Sequence, residues 1–201
     1  MKNKSILLVA AISFLAASCG SSADEETMEV EATTYSLNTE ASTLKWHGEE
    51  NADHFHDGTI SFTEGSFVMQ GDEVVSGEFT IDPSTINPMT EGYPEEKMAY
   101  LKSHLMDTSF FFTAEYPTVM VTTGDYKDGK LSTTINVRGV DIATEVPVAI
   151  NTTDDGVTIK GDFTIDFTKS KLPYLVEVDP ETGSPGAKST VDFKMDLTLS
   201  K

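Results

Sequence analysis

Residues 189–200 read Ser-Thr-Val-Asp-Phe-Lys-Met-Asp-Leu-Thr-Leu-Ser. Val191, Phe193, Met195, Leu197 and Leu199 alternate with Asp192, Lys194, Asp196 and Thr198. A side-chain period of two is the pattern of a strand with one buried face and one wetted face. The same period recurs upstream. Phe163, Ile165 and Phe167 alternate with Asp162, Thr164 and Asp166, and Val146, Val148 and Ile150 form another row. Ile135 with Val137, Val119 with Val121, Phe79 with Ile81, and Ile60 with Phe62 extend the series. Turn signals separate these runs: Asp128-Gly129 and Asp155-Gly156 read as hairpin turns, Gly139 breaks the run at Arg138, and Gly71-Asp72 and Asp57-Gly58 act similarly.

The pattern predicts strands near 42–47, 57–63, 74–82, 116–123, 130–138, 141–151, 156–168 and 189–200, with a short strand near 66–70 joining the second to the third. The expected fold is all-β, an eight-stranded antiparallel up-and-down barrel, because closure removes the exposed edges of so many consecutive strands. One segment departs from the period. Residues 94–106 open on Pro94, a favourable first helical residue, and place Met98, Leu101 and Leu105 at helical spacing. One short helix is therefore expected between the third and fourth strands, over one barrel end. Residues 179–187 read as a turn-rich loop.

The N-terminus carries a different signal. Lys2 and Lys4 precede an apolar stretch over residues 6–17, too short to span a bilayer, so residues 1–18 read as a secretory signal peptide. The run Leu15-Ala16-Ala17-Ser18-Cys19 resembles a bacterial lipobox, with Ala16 where Leu is more usual. That resemblance implies lipidation of Cys19 and attachment to a bacterial membrane in the cell envelope, periplasmic or on the outer-membrane surface; a plain signal peptide beside a stray cysteine is the alternative. Residues 19–33 read as an acidic, flexible tether, and residues 34–201 as the domain. The acids after Cys19 fit either a surface-export signal or a solvated spacer.

Charge excludes some partners. The whole chain carries −19, and losing residues 1–18 removes two lysines and no acid, which leaves −21. Nucleic acid and anionic head groups are repelled by such a chain. With Cys19 used as an anchor, no cysteine is left for a disulfide.

Catalytic motifs are lacking. The sequence holds no Gly-x-Ser-x-Gly elbow, no His-Glu-x-x-His and no glycine-rich phosphate loop. No enzyme activity and no cofactor are expected. His47, His54 and His56 lie among Glu49, Glu50, Asp53 and Asp57, which raises a metal-binding protein or metal-dependent enzyme as an alternative to a polar loop. His104 reads as structural. Phe110-Phe111-Phe112 is the densest aromatic cluster; if extended, Phe111 faces the opposite side from its neighbours.

The main functional candidate is the inward row. An eight-stranded barrel either fills itself with side chains or holds one small ligand. A row of bulky apolar residues offers no hydrogen bonds, so its ligand must be mostly hydrocarbon, gaining about 0.8 kcal/mol per methylene withdrawn from water. A ligand-free interaction module with a filled barrel is the competing reading. A membrane-spanning barrel fits poorly with an outer face of Asp, Lys and Glu.

Several stretches, in order, resemble the YceI-like family of lipid- or polyisoprenoid-binding proteins. Leu105-Met106-Asp107-Thr108-Ser109-Phe110-Phe111 and Glu115-Tyr116-Pro117-Thr118-Val119 resemble its central signature. Residues 42–48 and 56–60 resemble its opening strands, 76–82 and 84–86 its third strand, and Ile135-Asn136-Val137-Arg138-Gly139-Val140 its hairpin. The resemblance runs from Tyr35 to Ser200. It implies a lipocalin-like barrel whose deep apolar cavity holds a long isoprenoid chain, of polyprenol or quinone type. The ligand-binding candidates are then Phe79, Ile81, Leu105, Phe111, Val119, Val121, Ile135, Val137, Phe163, Ile165, Phe193 and Met195. The chain departs from the family where many members carry an arginine in the seventh strand; here Asp166-Phe167-Thr168-Lys169 stands instead. The sequence leaves the oligomeric state open, a homodimer included.

Overall fold

The computed structural model describes residues 30–51, 53–170, 172–173, 175 and 186–201. The signal peptide, Cys19, most of the tether and most of the 179–187 loop lie outside the described residues. The elements are β1 (Ala32–Leu37), β2 (Thr43–Asn51), β3 (His54–Gln70), β4 (Glu73–Pro88), α1 (Glu95–Met106), β5 (Val119–Lys127), β6 (Lys130–Val137), β7 (Val140–Pro147), β8 (Ala149–Thr152), β9 (Gly156–Asp166) and β10 (Thr190–Ser200). β1 opens at Ala32, within the stretch read as tether.

Among the described residues all strands pair antiparallel in one sheet, and there are ten of them where eight were expected. Two shared places account for the difference. β1 pairs with the far half of β3 (Ala32↔Gln70 to Ser36↔Ser66), and β2 pairs with its near half (Leu44↔Ile60 to Asn51↔His54). Both also pair with β10, so β1 and β2 lie end to end between the same two neighbours. β7 and β8 form the second shared place. β7 pairs with β6 as far as Lys130↔Pro147, and β8 pairs with β9 from Ala149↔Lys160. Pro147 has no N–H to give to a ladder, and Val148 N–H donates to Gly129 O at 2.9 Å as the chain crosses from one neighbour to the next. That crossing closes the sheet into a barrel.

The turns explain the order. Asp128 (φ 52°) and Gly129 (φ 76°) both take the left-handed conformation that a two-residue hairpin requires. Arg138 (φ 52°) and Gly139 (φ 74°) do the same between β6 and β7. Gly58 does not turn the chain. It pairs with Trp46 and Pro88 inside β3, and a Cβ there would lie 2.5 Å from the Trp46 ring. A glycine at this point lets the indole lie flat on the strand.

Pro94 occupies the N-cap, and the helix begins at Glu95. Only Leu105 of α1 is buried, with Leu101 and Met106 packed partly against the core. The helix lies across one end of the barrel. At the opposite end Tyr35, Phe67, Met69, Val157 and Leu199 are all buried, and Phe67 is 0% exposed. The barrel is thus filled at the end where β1 enters and roofed at the end where α1 crosses.

Candidate lipid site

Between plug and roof lie two compartments. The inner one has a volume of about 110 Å³. Its walls follow from the strand register. Phe79 pairs with Val121 and Ile81 with Val119 across β4 and β5; Val121 in turn pairs with Ile135 on β6. Phe163 pairs with Phe193, their rings stacked at 5.8 Å. All of these side chains line the compartment, with Val137, Ile165, Met195 and Phe111. Val121, Ile135, Phe163, Phe193 and Met195 are only partly buried because they face the void. Leu105, the remaining ligand candidate from the sequence, lines the outer compartment.

Sequence reasoning passed over further wall residues. Leu44, Phe62, Leu131, Val146, Ile159 and Leu197 belong to the same alternating rows, so the period alone could have found them. Thr123 and Thr133, paired across β5 and β6, could not be found that way. Thr133 donates back to Leu131 O at 3.0 Å. Thr123 Oγ1 is buried without a hydrogen-bond partner among the described residues.

Ile60, Phe111, Phe167 and Phe193 line both compartments and form a neck between them. Phe111 reaches it by an irregular route, which corrects the expectation of a strand from residue 116 and of simple alternation in the aromatic cluster. The last turn of α1 continues into a knot: Phe111 N–H donates to Leu105 O at 3.1 Å and Phe112 N–H to Asp107 O at 2.8 Å, with Phe112 left-handed at φ 48°. Phe110 is buried edge-on to His104 at 5.3 Å. Phe112 instead packs beside Tyr116 at 6.1 Å, under the Arg138 guanidinium.

The outer compartment, about 300 Å³, is the mouth. Trp46, Ile86, Leu101 and Leu105 give it apolar surface; Glu49, Glu50, His56, Tyr93, Tyr100, His104 and Lys188 give it polar groups. Thr90 Oγ1 accepts the Asp57 N–H at 3.0 Å and lies 3.4 Å from His56 Nδ1. Burial lowers the His56 pKa, against the pull of Glu50 and Asp57, which favours the neutral ring. Lys188 clamps the rim: its N–H donates to Glu49 O at 2.7 Å and its ammonium pairs with the Glu49 carboxylate. That hydrogen bond, followed by one from His47, holds Glu49 below the usual carboxylate range.

The three histidines do not converge. His47 Nδ1 meets Asp57 Oδ1 at 2.7 Å and Nε2 meets Glu49 Oε1 at 3.2 Å, His54 lies 3.6 Å from Glu50, and His56 lines the mouth. Among the described residues no group of three or more His, Cys, Asp or Glu is placed to hold a metal ion.

With this geometry in place, comparison decides the family. The sequence profile of the YceI-like domain matches residues 35–199. The chain belongs to the YceI-like family. Two solved structures are similar to it. One is described as a polyisoprenoid binding domain from Saccharophagus degradans implicated in plant cell wall breakdown; it is 15% identical, with a TM-score of 0.59, over 83% of this chain and 97% of that one. The other is Burkholderia cenocepacia BcnA, 14% identical, with a TM-score of 0.63, over 82% of this chain and 99% of that one. At such identities the likeness shows a shared fold. A comparison with curated proteins finds no match.

Proposed function

We propose that this YceI-like protein binds a long apolar lipid of isoprenoid type, tail in the inner compartment and head in the mouth, and holds or carries it in the cell envelope. The observation that carries this reading is a blind chamber walled by alternate apolar side chains, whose neck leads to a mouth with polar groups. Family membership and the Saccharophagus degradans domain point the same way. The chemistry is binding without catalysis. Water needs roughly 10–15 Å³ of such space per molecule, so the 110 Å³ inner chamber takes on the order of ten methylene-sized groups. Several isoprene units fit with the mouth included, and a longer tail requires the neck phenylalanines to turn. At about 0.8 kcal/mol per methylene, ten buried groups contribute about 8 kcal/mol toward a cost of association of roughly 4–15 kcal/mol, without any polar contact in the tail.

Cys19, acylated, would tether the domain to a membrane, since several acyl chains give stable anchoring. Native mass spectrometry of protein purified from its own host tests the binding: a retained lipid is expected, and repeated empty spectra with no uptake of added polyprenol would overturn it. Membrane fractionation of the Cys19→Ser protein tests the anchor; release into the soluble envelope fraction is expected, and unchanged membrane attachment refutes it.

A further inference from the structure

Val30 and Ser200 lie at one end of the barrel and the mouth lies at the other. Ala32 pairs with Gln70 beside the Gly71 turn, and Val30 O accepts the Gln70 Nε2–H at 2.8 Å. Ser200 pairs with Gly156. This is the end filled by Phe67 and Leu199. The β2–β3 turn and α1, which frame the mouth, are a full strand away.

That polarity bears on where the lipid comes from. The reasoning rests on the lipid chamber and the Cys19 anchor, both as proposed above. Cys19 stands eleven residues before Val30. However that stretch is arranged, it spans at most about 40 Å. β3 runs 17 residues from mouth to plug. That is about 55 Å of strand, which at the usual barrel tilt of roughly 35–45° rises about 40 Å. An inverted domain, with its mouth on the anchoring membrane, would need the whole connection drawn out along the wall. A domain on its side would press Lys45, Asp57, Asp162, Asp192 and Lys194, which line a groove on the outer wall, against lipid. With the plug end toward the anchor, neither cost arises.

The lip of the mouth then faces away from that membrane, and it is apolar in places. Phe55 is 41% exposed, Met89 59% and Tyr100 72%. Phe55 is the second residue of β3, Met89 N–H donates to Asp57 O at 2.7 Å just past β4, and Tyr100 lines the mouth from α1. Aromatic rings at the edge of an opening suit the head-group level of a bilayer. A chain of net charge −19 is repelled by an anionic surface, so the surface that fits is neutral or zwitterionic.

We infer that the mouth exchanges its lipid with a lipid surface other than the one that holds Cys19: the anchor keeps the plug end on one membrane, and Phe55, Met89 and Tyr100 meet a second.

Cys19 is the chain's one cysteine, so the chain from Cys19 onward can be coupled through it to a maleimide lipid in phosphatidylcholine vesicles. A nitroxide-bearing polyprenol is placed either in those vesicles or in a second, unattached population. Trp46, the single tryptophan, lines the mouth, and its quenching times the arrival of the probe. A site that its linker cannot reach has an effective concentration near zero, so quenching should be at least about tenfold faster from the unattached vesicles. A Gly-Ser insertion of about 30 residues between Thr27 and Met28 should raise the rate from the anchoring vesicles and leave the other unchanged. Phe55→Ser with Met89→Ser should slow loading from unattached vesicles but not from detergent-dispersed probe. Loading from the anchoring vesicles at an equal or higher rate overturns the inference and leaves the lipid chamber standing. So does loading of the uncoupled Cys19→Ser protein when neither vesicle population feeds the coupled one. Failure of the uncoupled protein to take up dispersed probe overturns the lipid chamber itself.

Discussion

Arg138 Nη1 donates to the carbonyl oxygen of Phe110 at 2.8 Å. The bond runs from a tight hairpin on one side of the barrel to the residue just before the neck aromatic Phe111. Arg138 holds an unfavourable left-handed backbone at φ 52°, where glycine would be at ease. Its side chain is what the turn gains in return: two carbonyls of the 108–112 knot and a cover for Phe112.

Arg138→Ala should therefore be worse than Arg138→Gly. Both lose the charged hydrogen bonds, worth about 1.5–3 kcal/mol in favourable settings and less at this part-exposed turn. Alanine also keeps a Cβ at positive φ, a further cost of about 1 kcal/mol. Chemical denaturation should rank the proteins as unaltered, then Gly, then Ala. Equal stability of all three would mean that the anchor contributes nothing.

Two histidines should tilt the pH dependence in opposite directions. The hydrogen bond that His47 donates to the Asp57 carboxylate raises His47 above its ordinary pKa; partial burial opposes this, and Glu49 adds to the rise. A raised folded pKa contributes stability that is complete below the unfolded value near 6.5 and is lost as pH climbs through the folded value. His56, lowered chiefly by burial, works the other way: the unfolded chain takes up its proton first, so stability falls as pH drops below about 6.5. His47→Gln should steepen the loss of stability toward pH 5, and His56→Gln should flatten it. Imidazole NMR titration checks the cause directly, with His47 titrating above the ordinary value and His56 below it. The reverse order would refute the assignment.

Gly58 should tolerate no side chain. A Cβ there would sit 2.4 Å from Asn87 O and 2.5 Å from the Trp46 ring, closer than real contacts allow. Asn87 O is backbone and the indole is fixed by its Nε1 donating to Thr59 O at 3.2 Å, so neither gives way easily. Gly58→Ala should cost about 1–3 kcal/mol, the usual range for overpacking, and shift the Trp46 emission. An unchanged denaturation midpoint and spectrum would show that the indole has room to move.

The period of two made the barrel legible, and its failures are local. β10 is plain because apolar residues alternate along its whole length, from partly buried Val191, Phe193 and Met195 to buried Leu197 and Leu199. β1 was not, since only Tyr35 is buried within Ala32–Leu37 and acids precede it. β3 read as two strands because Glu64 and Gly65 interrupt its apolar row; pairing with β4 runs past that point through a bulge. The strand expected near 74–82 runs further, through Pro83 to Pro88. Within the site, the chamber walls followed from alternation, whereas the mouth did not. His56 takes its meaning from Thr90 and Tyr93, more than thirty residues away, and Lys188 from Glu49 on a different strand. Such pairings leave no mark in a local pattern.

The chamber itself can be closed by one substitution. Val121 and Ile135 face each other across β5 and β6, and both are partly buried because they look into the void. Val121→Phe would place a ring in the 110 Å³ compartment. Overpacking a filled core typically costs about 1–3 kcal/mol; here empty space receives the ring, so the cost should fall at the low end or vanish. Lipid uptake should drop at least about tenfold, which corresponds to the loss of only two methylenes' worth of burial. Phe111→Ala should do the opposite at the neck, costing roughly 2 kcal/mol for a partly buried ring while admitting longer isoprenoids. A titration with isoprenoids of increasing length, on both variants, checks the pair. Unchanged uptake by Val121→Phe would place the hydrocarbon outside the inner chamber, and the site would then have to lie wholly in the mouth.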